Sequence, residues 1–209
     1  MRPASLPAGF VEWWFAPWES PGAPQPPGGL LGRRDAYRRW CVDAGIAPAL
    51  PAHRDPRWSA LVHLDEAQLA LAARLCGGLF AVRTLQPQAL AGLHEDERRW
   101  CAGVANLQPL PRAPWRGATA HEAGLAACGL AWLVLCLEQG FPGLWPRLRL
   151  RLAAPERAAV ERCLQDAASA PSDAALVRLT RCWRLCIRRA GGTGTLEYPD
   201  YPDYPEEET

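Results

Sequence analysis

The chain has 209 residues, 49% of them apolar, which is enough for one packed core, too little for two full ones, and too apolar for a disordered chain. All 23 basic residues are arginine, and the net charge is only +1. Six carboxylates lie in the last stretch (Glu197, Asp200, Asp203, Glu206, Glu207, Glu208), and without them the charge of +1 becomes +7, well short of a typical nucleic-acid binder.

Residues 1–29 read as an arm and linker. Trp13, Trp14, Phe15 and Trp18 crowd together ahead of a proline-rich stretch, Pro21 to Gly29, where no helix can persist. These aromatics are too apolar to leave in water, so the arm is expected to pack back onto the body; a hook for a partner is the alternative. Pro3, Pro7 and Glu12 interrupt the start, so no secretion signal is read and the thiols are expected to stay reduced in the cytosol. The first helix is expected over 30–44, with Leu31, Tyr37, Trp40 and Cys41 as its apolar stripe and Gly45 as its C-terminal cap. A proline-interrupted connection follows over 46–63. Asp65 then caps a helix in which Leu69, Ala72, Ala73 and Cys76 recur at helical spacing. Gly77-Gly78 marks a kink or a tight packing contact in it, and Leu79 to Leu85 continues it. Pro87 opens another helix, reaching Ala105, with His94 to Arg99 as its solvated middle.

Pro109, Pro111 and Pro114 mark a loop. Thr119 and Glu122 have capping-box spacing and start a helix that runs to Gln139. That helix is apolar almost all the way round, which makes it central to the fold. Its longest apolar run, Ala123 to Leu137, is shorter than the roughly 20 residues a bilayer demands. Arg147 to Leu152 alternates Arg and Leu, the pattern of a short strand or extended segment. Pro155 sits in the first turn of a helix ending near Ala168, and Ser172 or Asp173 caps the last helix, which ends near Ala190. The Gly-rich and acidic stretch 191–209, with its Tyr-Pro-Asp repeats, reads as disordered. The expected fold is all-α: a single compact helical domain over 30–190 with a packed aromatic arm.

Eight cysteines are present, most within apolar helical patterns where cysteine acts as a small hydrophobe. Cys182 and Cys186 stand one helical turn apart, but no second Cys or His pair completes a zinc set, so buried thiols are the better reading. His53, His63, His94 and His121 are scattered, and neither His94-Glu95 nor His121-Glu122 is followed by the second histidine of a metalloprotease helix. The glycines from Gly191 to Gly194 follow a helix rather than a strand, which is the wrong context for a phosphate loop. No nucleophile elbow is present. No catalytic residue, metal ligand or cofactor site is therefore assigned.

The last helix offers a surface instead. Leu176, Leu179, Trp183, Cys186, Ile187 and Ala190 share one face at 100° per residue. Arg181, Arg184 and Arg188 lie opposite, flanked by Arg178 and Arg189, with Val177 and Leu185 among them. A basic face with embedded apolar groups is either simply solvated or a protein-binding surface, because arginine is enriched at interfaces. No turn-and-recognition-helix unit precedes it to favour DNA.

Gly129-Leu130-Ala131-Trp132-Leu133, then Trp145, the Arg147 to Leu152 alternation and the earlier Arg74-Leu75-Cys76-Gly77-Gly78-Leu79 resemble the SctK family of type III secretion accessory proteins. The likeness is nearest to the YscK/PscK branch, with OrgA and MxiK more distant, and extends loosely over residues 10–190. It implies a cytoplasmic adaptor without an active site, at the cytoplasmic face of the bacterial inner membrane. It further implies a link between the cytoplasmic domain of the ring protein SctD and the pod protein SctQ, and through it to SctL and the SctN ATPase. A cytosolic thiol- or metal-dependent enzyme and a helical nucleic-acid-binding regulator are the alternative classes.

Overall fold

Helix-forming residues run through most of the chain, and the computed structural model, which describes residues 6–16, 30–84, 86–107, 123–167 and 171–191, turns most of them into helix. The elements in order are α1 (Ala8–Phe15), α2 (Leu30–Asp43), a 3-10 turn (Pro56–His63), α3 (Glu66–Arg83), α4 (Pro87–Leu90), α5 (Glu95–Leu107), α6 (Leu125–Gly140), α7 (Trp145–Leu148), a 3-10 turn (Arg149–Arg151), α8 (Ala154–Gln165) and α9 (Asp173–Gly191). There is no β-strand among the described residues. The proline-rich linker, the Pro109–Pro114 loop, the Thr119/Glu122 capping box, Trp18 and the acidic stretch after Gly191 lie outside them.

Local signals set most helix ends. The Asp65 carboxylate accepts from Gln68 N at 2.8 Å while the Gln68 side chain accepts from Asp65 N at 2.9 Å, a reciprocal cap for α3. Gly45 has φ of +64°, and Ile46 N donates to Cys41 O at 2.7 Å, so α2 ends in a left-handed turn that glycine adopts without strain. Ser172 Oγ accepts from Ala175 N at 3.3 Å and caps α9.

Three elements differ from the sequence reading. The central helix, expected from Thr119, starts at Leu125, after Gly124 with φ of +82°. The helix expected over 87–105 is two: α4 stops at Leu90, and α5 restarts at Glu95. Glu97 accepts from His94 N at 3.2 Å and places three carboxylates in the first turn of α5, where the helix dipole favours them. His94 to Arg99 is thus a helix start rather than a helix middle. Nor is 147–152 a strand. Leu148 N donates to Leu144 O at 3.1 Å and Leu152 N to Arg149 O at 3.2 Å, so the backbone satisfies itself locally. With no strand to pair with, an extended segment here would leave its amides orphaned. The leucines do not share a face either: Leu148 is buried, Leu150 is exposed and Leu152 is half-buried.

The core is one cluster centred on α3 and α6, with α9 and α5 against α3, and α8 against α6. Phe80 stacks on Trp132 across α3 and α6, ring centroids 4.6 Å apart. Phe10 and Trp14 of α1 belong to the same cluster, in contact with Phe141, so the arm does pack back onto the body. Among the described residues no helix is long and apolar enough to cross a membrane.

The two central helices touch backbone to backbone. A Cβ on Gly129 of α6 would collide with the Ala73 carbonyl of α3, and one on Gly77 of α3 would collide with the Leu125 carbonyl of α6. The tight contact at Gly77 is what the sequence left open between kink and packing. Gly77→Ala or Gly129→Ala should therefore destabilise the fold by about 2–3 kcal/mol through overpacking. Gly103→Ala, on α5 with open space around it, should be neutral or stabilising by about 0.5–1 kcal/mol. Urea midpoints of the three variants check this, and equal midpoints for Gly103→Ala and Gly129→Ala would refute the contact.

Candidate functional site

Helix α9 is amphipathic along its whole length. Its inner face buries Leu176, Leu179, Cys182, Trp183, Cys186 and Ile187 in the core. Cys182 joins the apolar face drawn from the sequence, and Ala190 is half-buried at its edge. Outward lie Arg178, Arg181, Arg188 and Arg189, all exposed, with Arg184 and Leu185 half-buried. Val177 is 54% exposed among them. All seven residues picked out in the sequence thus occupy the outward side of one rigid helix. Val177, Arg181, Arg184 and Arg188 follow one another at spacings of four, three and four, so they form a single seam along the axis. Asp173 is the sole acidic residue within this helix.

A second arginine site was not legible in the sequence. Arg147, placed there on a strand face, is only 4% exposed. Its guanidinium donates to Trp14 O at 3.2 Å, Ala47 O at 3.1 Å and the Tyr37 hydroxyl at 2.7 Å. The Tyr37 hydroxyl in turn donates to Pro48 O at 2.6 Å. The guanidinium carbon lies 3.9 Å from the centroid of the Trp14 ring, with Tyr37 and Trp40 at 5.7 and 5.9 Å. No carboxylate pairs with it among the described residues. Carbonyl dipoles and aromatic faces replace the counter-ion, a role that suits the flat, weakly hydrated guanidinium. One side chain thereby ties α1, α2 and the segment after it to α7.

The thiols are packing groups. All eight cysteines are free and buried. Cys76 of α3 exchanges a hydrogen bond with Cys186, with Cys182 and Cys136 close by, and Cys101 faces the same cluster. Burial pushes Cys101, Cys136 and Cys182 up to about 12, and Cys76 well above its ordinary value. A reactive cysteine needs the opposite shift, toward thiolate. Cys163 is the exception, held down first by the hydrogen bond from Cys128, yet it is fully buried and no histidine is among the groups acting on it. Among the described residues no group of three or more His, Cys, Asp or Glu side chains is arranged to hold a metal ion. His53, His63 and His94 are exposed, while His121 lies outside the described residues.

A shallow groove of about 350 Å³ runs between the starts of α3, α6 and α8, floored by Leu69, Ala126, Leu130 and Leu152 and edged by Glu66 and Glu156. Glu156 is already engaged, accepting from Ala153 N at 2.9 Å as the cap of α8. Comparison with known proteins finds no family model, no curated protein and no solved structure that matches this chain.

Removing the Arg147 guanidinium orphans two backbone carbonyls and frees the arm. Arg147→Met should cost about 2–4 kcal/mol of stability, and Arg147→Lys should recover little of it, because a compact ammonium cannot span three acceptors on three segments. Chemical denaturation checks the loss, and limited proteolysis between residues 16 and 30 checks the release of α1.

Alkaline pH offers an independent check on burial. Tyr37 is pushed up to about 12, chiefly by burial and partly offset by the Arg147 charge, as are three of the thiols by burial. The unfolded chain loses these protons near their ordinary values, 9.0 for the thiols and 10.0 for tyrosine, while the folded chain keeps them. The folded state then binds more protons, so stability must fall as pH rises from about 9 to about 12. A flat denaturation midpoint across that window would contradict the burial.

Proposed function

We propose that this protein is a non-enzymatic adaptor of the type III secretion sorting platform, a member of the SctK family close to its YscK/PscK branch. In this reading it works at the cytoplasmic face of the inner membrane. It joins the cytoplasmic domain of SctD to the pod protein SctQ, and through SctQ to SctL and the SctN ATPase. The observation that carries the binding activity is the outward face of α9, where five arginines surround Val177 and Leu185 on a helix fixed by six core residues. Arginines carried on a packed helix lose less backbone freedom on binding than those on a loop, and each offers a planar fork to a carboxylate. The apolar atoms between them favour a protein over a phosphate backbone, because they gain only against another apolar surface. The resemblance in residues 74–79, 129–133 and 145–152 supports the family; those segments lie in α3, α6 and α7 with the turn after it, which hold the core together.

Reversing Arg181, Arg184 and Arg188 to Glu tests this. The triple variant should stay helical, since none of the three residues belongs to the core cluster. Its capture of SctD or SctQ in a pull-down should weaken about tenfold or more, with the residual binding less sensitive to salt. Undiminished capture of both partners by the folded variant would remove the arginine face from the mechanism.

A further inference from the structure

One pair of thiols has a geometry that packing alone does not call for. Cys128 of α6 and Cys163 of α8 share a hydrogen bond, in which the Cys128 thiol donates to the Cys163 sulfur. Both are free and both belong to the core, Cys163 fully buried and Cys128 4% exposed. They sit at the ends of two helices that pack on each other. Cys128 lies in the first turn of α6, its N–H donating to Gly124 O at 3.2 Å, and Cys163 lies in the last turn of α8, which ends at Gln165. We propose that Cys128 and Cys163 form a redox pair, closed to a disulfide by a peroxide and reopened by a thiol reductant.

Three physical points support the pairing. The first is contact. Sulfurs that already share a hydrogen bond have only to close to about 2.05 Å, which small changes in side-chain torsion supply. The second is an asymmetry between the two groups. Cys163 is held below the ordinary thiol range, first by the hydrogen bond from Cys128, against its burial, with Arg162 helping and Asp166 opposing. Cys128 is held above that range, because ionising it would forfeit the same bond. One thiol gives up its proton while its neighbour keeps one, as an attacking thiolate and a resolving thiol must. The third is access. A buried pair reacts when its surroundings open, and helix ends open most readily. Gly124, ahead of α6, offers no side-chain bond to the first amides of that helix. The other hydrogen-bonded pair, Cys76 with Cys186, has no such route: Cys76 stands next to Gly77 at the α3–α6 crossing, where opening means parting the central helices.

The chemistry balances with peroxide as the sole oxidant. The Cys163 thiolate attacks one oxygen of hydrogen peroxide, the O–O bond breaks, and the departing hydroxide takes up the proton that Cys163 released. Cys128 then attacks the sulfur of the resulting sulfenic acid, and its proton leaves with the displaced hydroxyl as a second water. The two thiols lose two electrons and two protons, and one peroxide becomes two waters. The new bond closes a loop of about 35 residues. It also fixes two walls of the apolar groove: Ala126 and Leu130, on either side of Cys128, help to floor it, and Glu156 of α8 edges it.

The test is made on the full-length chain, treated with hydrogen peroxide at concentrations that leave its circular dichroism unchanged. Remaining thiols are blocked with a maleimide in denaturant, and linkages are read by intact mass and peptide mapping. A mass loss equal to two hydrogen atoms and a Cys128–Cys163 linked peptide should appear before any other linkage, and a dithiol should reverse both. Cys163→Ser should abolish the linkage, with Cys128→Ala as the second variant if the serine chain does not fold, whereas Cys186→Ala should leave it intact. In the oxidised protein, amide exchange over residues 126–130 should slow about tenfold or more, because the bridge suppresses opening of that helix end. Both thiols remaining open to the maleimide, a linkage joining other cysteines first, or oxygen added to Cys163 without any linkage would each overturn the proposal.

Discussion

The fold depends on two helices meeting at their backbones. Gly77 and Gly129 let α3 and α6 approach until carbonyl oxygens fill the space where a side chain would start. At that distance no side chain separates the helices at these two glycines. Leu75 and Cys76 are buried beside Gly77, and Leu130 and Ala131 beside Gly129. Helices α5, α8 and α9 then cover what the central pair leaves apolar. Close-packed interiors transmit strain rather than absorb it, so a methyl group at this crossing is felt by the whole domain. Ala72 and Ala73, both fully buried, keep α3 slim at the same crossing.

Around this pair the molecule solves a second problem, how to hold an N-terminal helix too short to be stable alone. Eight residues make barely two turns, well below the length at which a helix persists in water. Tertiary contacts must supply what local bonding cannot. Phe10 and Trp14 do so by burial, and Arg147 does so by reaching the last turns of α1 through the Trp14 carbonyl. A carboxylate at that site would have carried a second desolvation cost; aromatic faces and carbonyls avoid it.

Much of this was legible residue by residue. The Asp65 cap, the Gly45 terminus, the all-apolar α6 and the two faces of α9 are local patterns, and local physics decides them. Arg147 to Leu152 misled because alternation is only half of a strand's signature; the other half is a neighbour to pair with, which no window of six residues contains. The break at Ala91 and Gly92 was hidden inside a run of good helix formers, and the side chain that marks it, Glu97, acts backward on His94. Arg147 was invisible as a buried group because its partners stand 133, 110 and 100 residues away. For the arginine face the position was readable and the use was not, since exposure on a helix follows from periodicity but a partner does not.

The same long span has a consequence for how the chain is made. The first helix cannot find its place until Phe141 and Arg147 exist, because both lie on the surface that receives it. Synthesis runs from the N-terminus, at roughly 5–20 residues per second, so Phe10, Trp13 and Trp14 wait for several seconds or longer with their rings in water. Contacts this distant in sequence also close late, after the loop entropy between them has been overcome by nearer pairings. The arm is thus the first piece exposed on a nascent chain and settles only after its receiving surface is made. A chaperone that holds aromatic segments would meet this protein at its beginning, long before the surface that buries that beginning has been made.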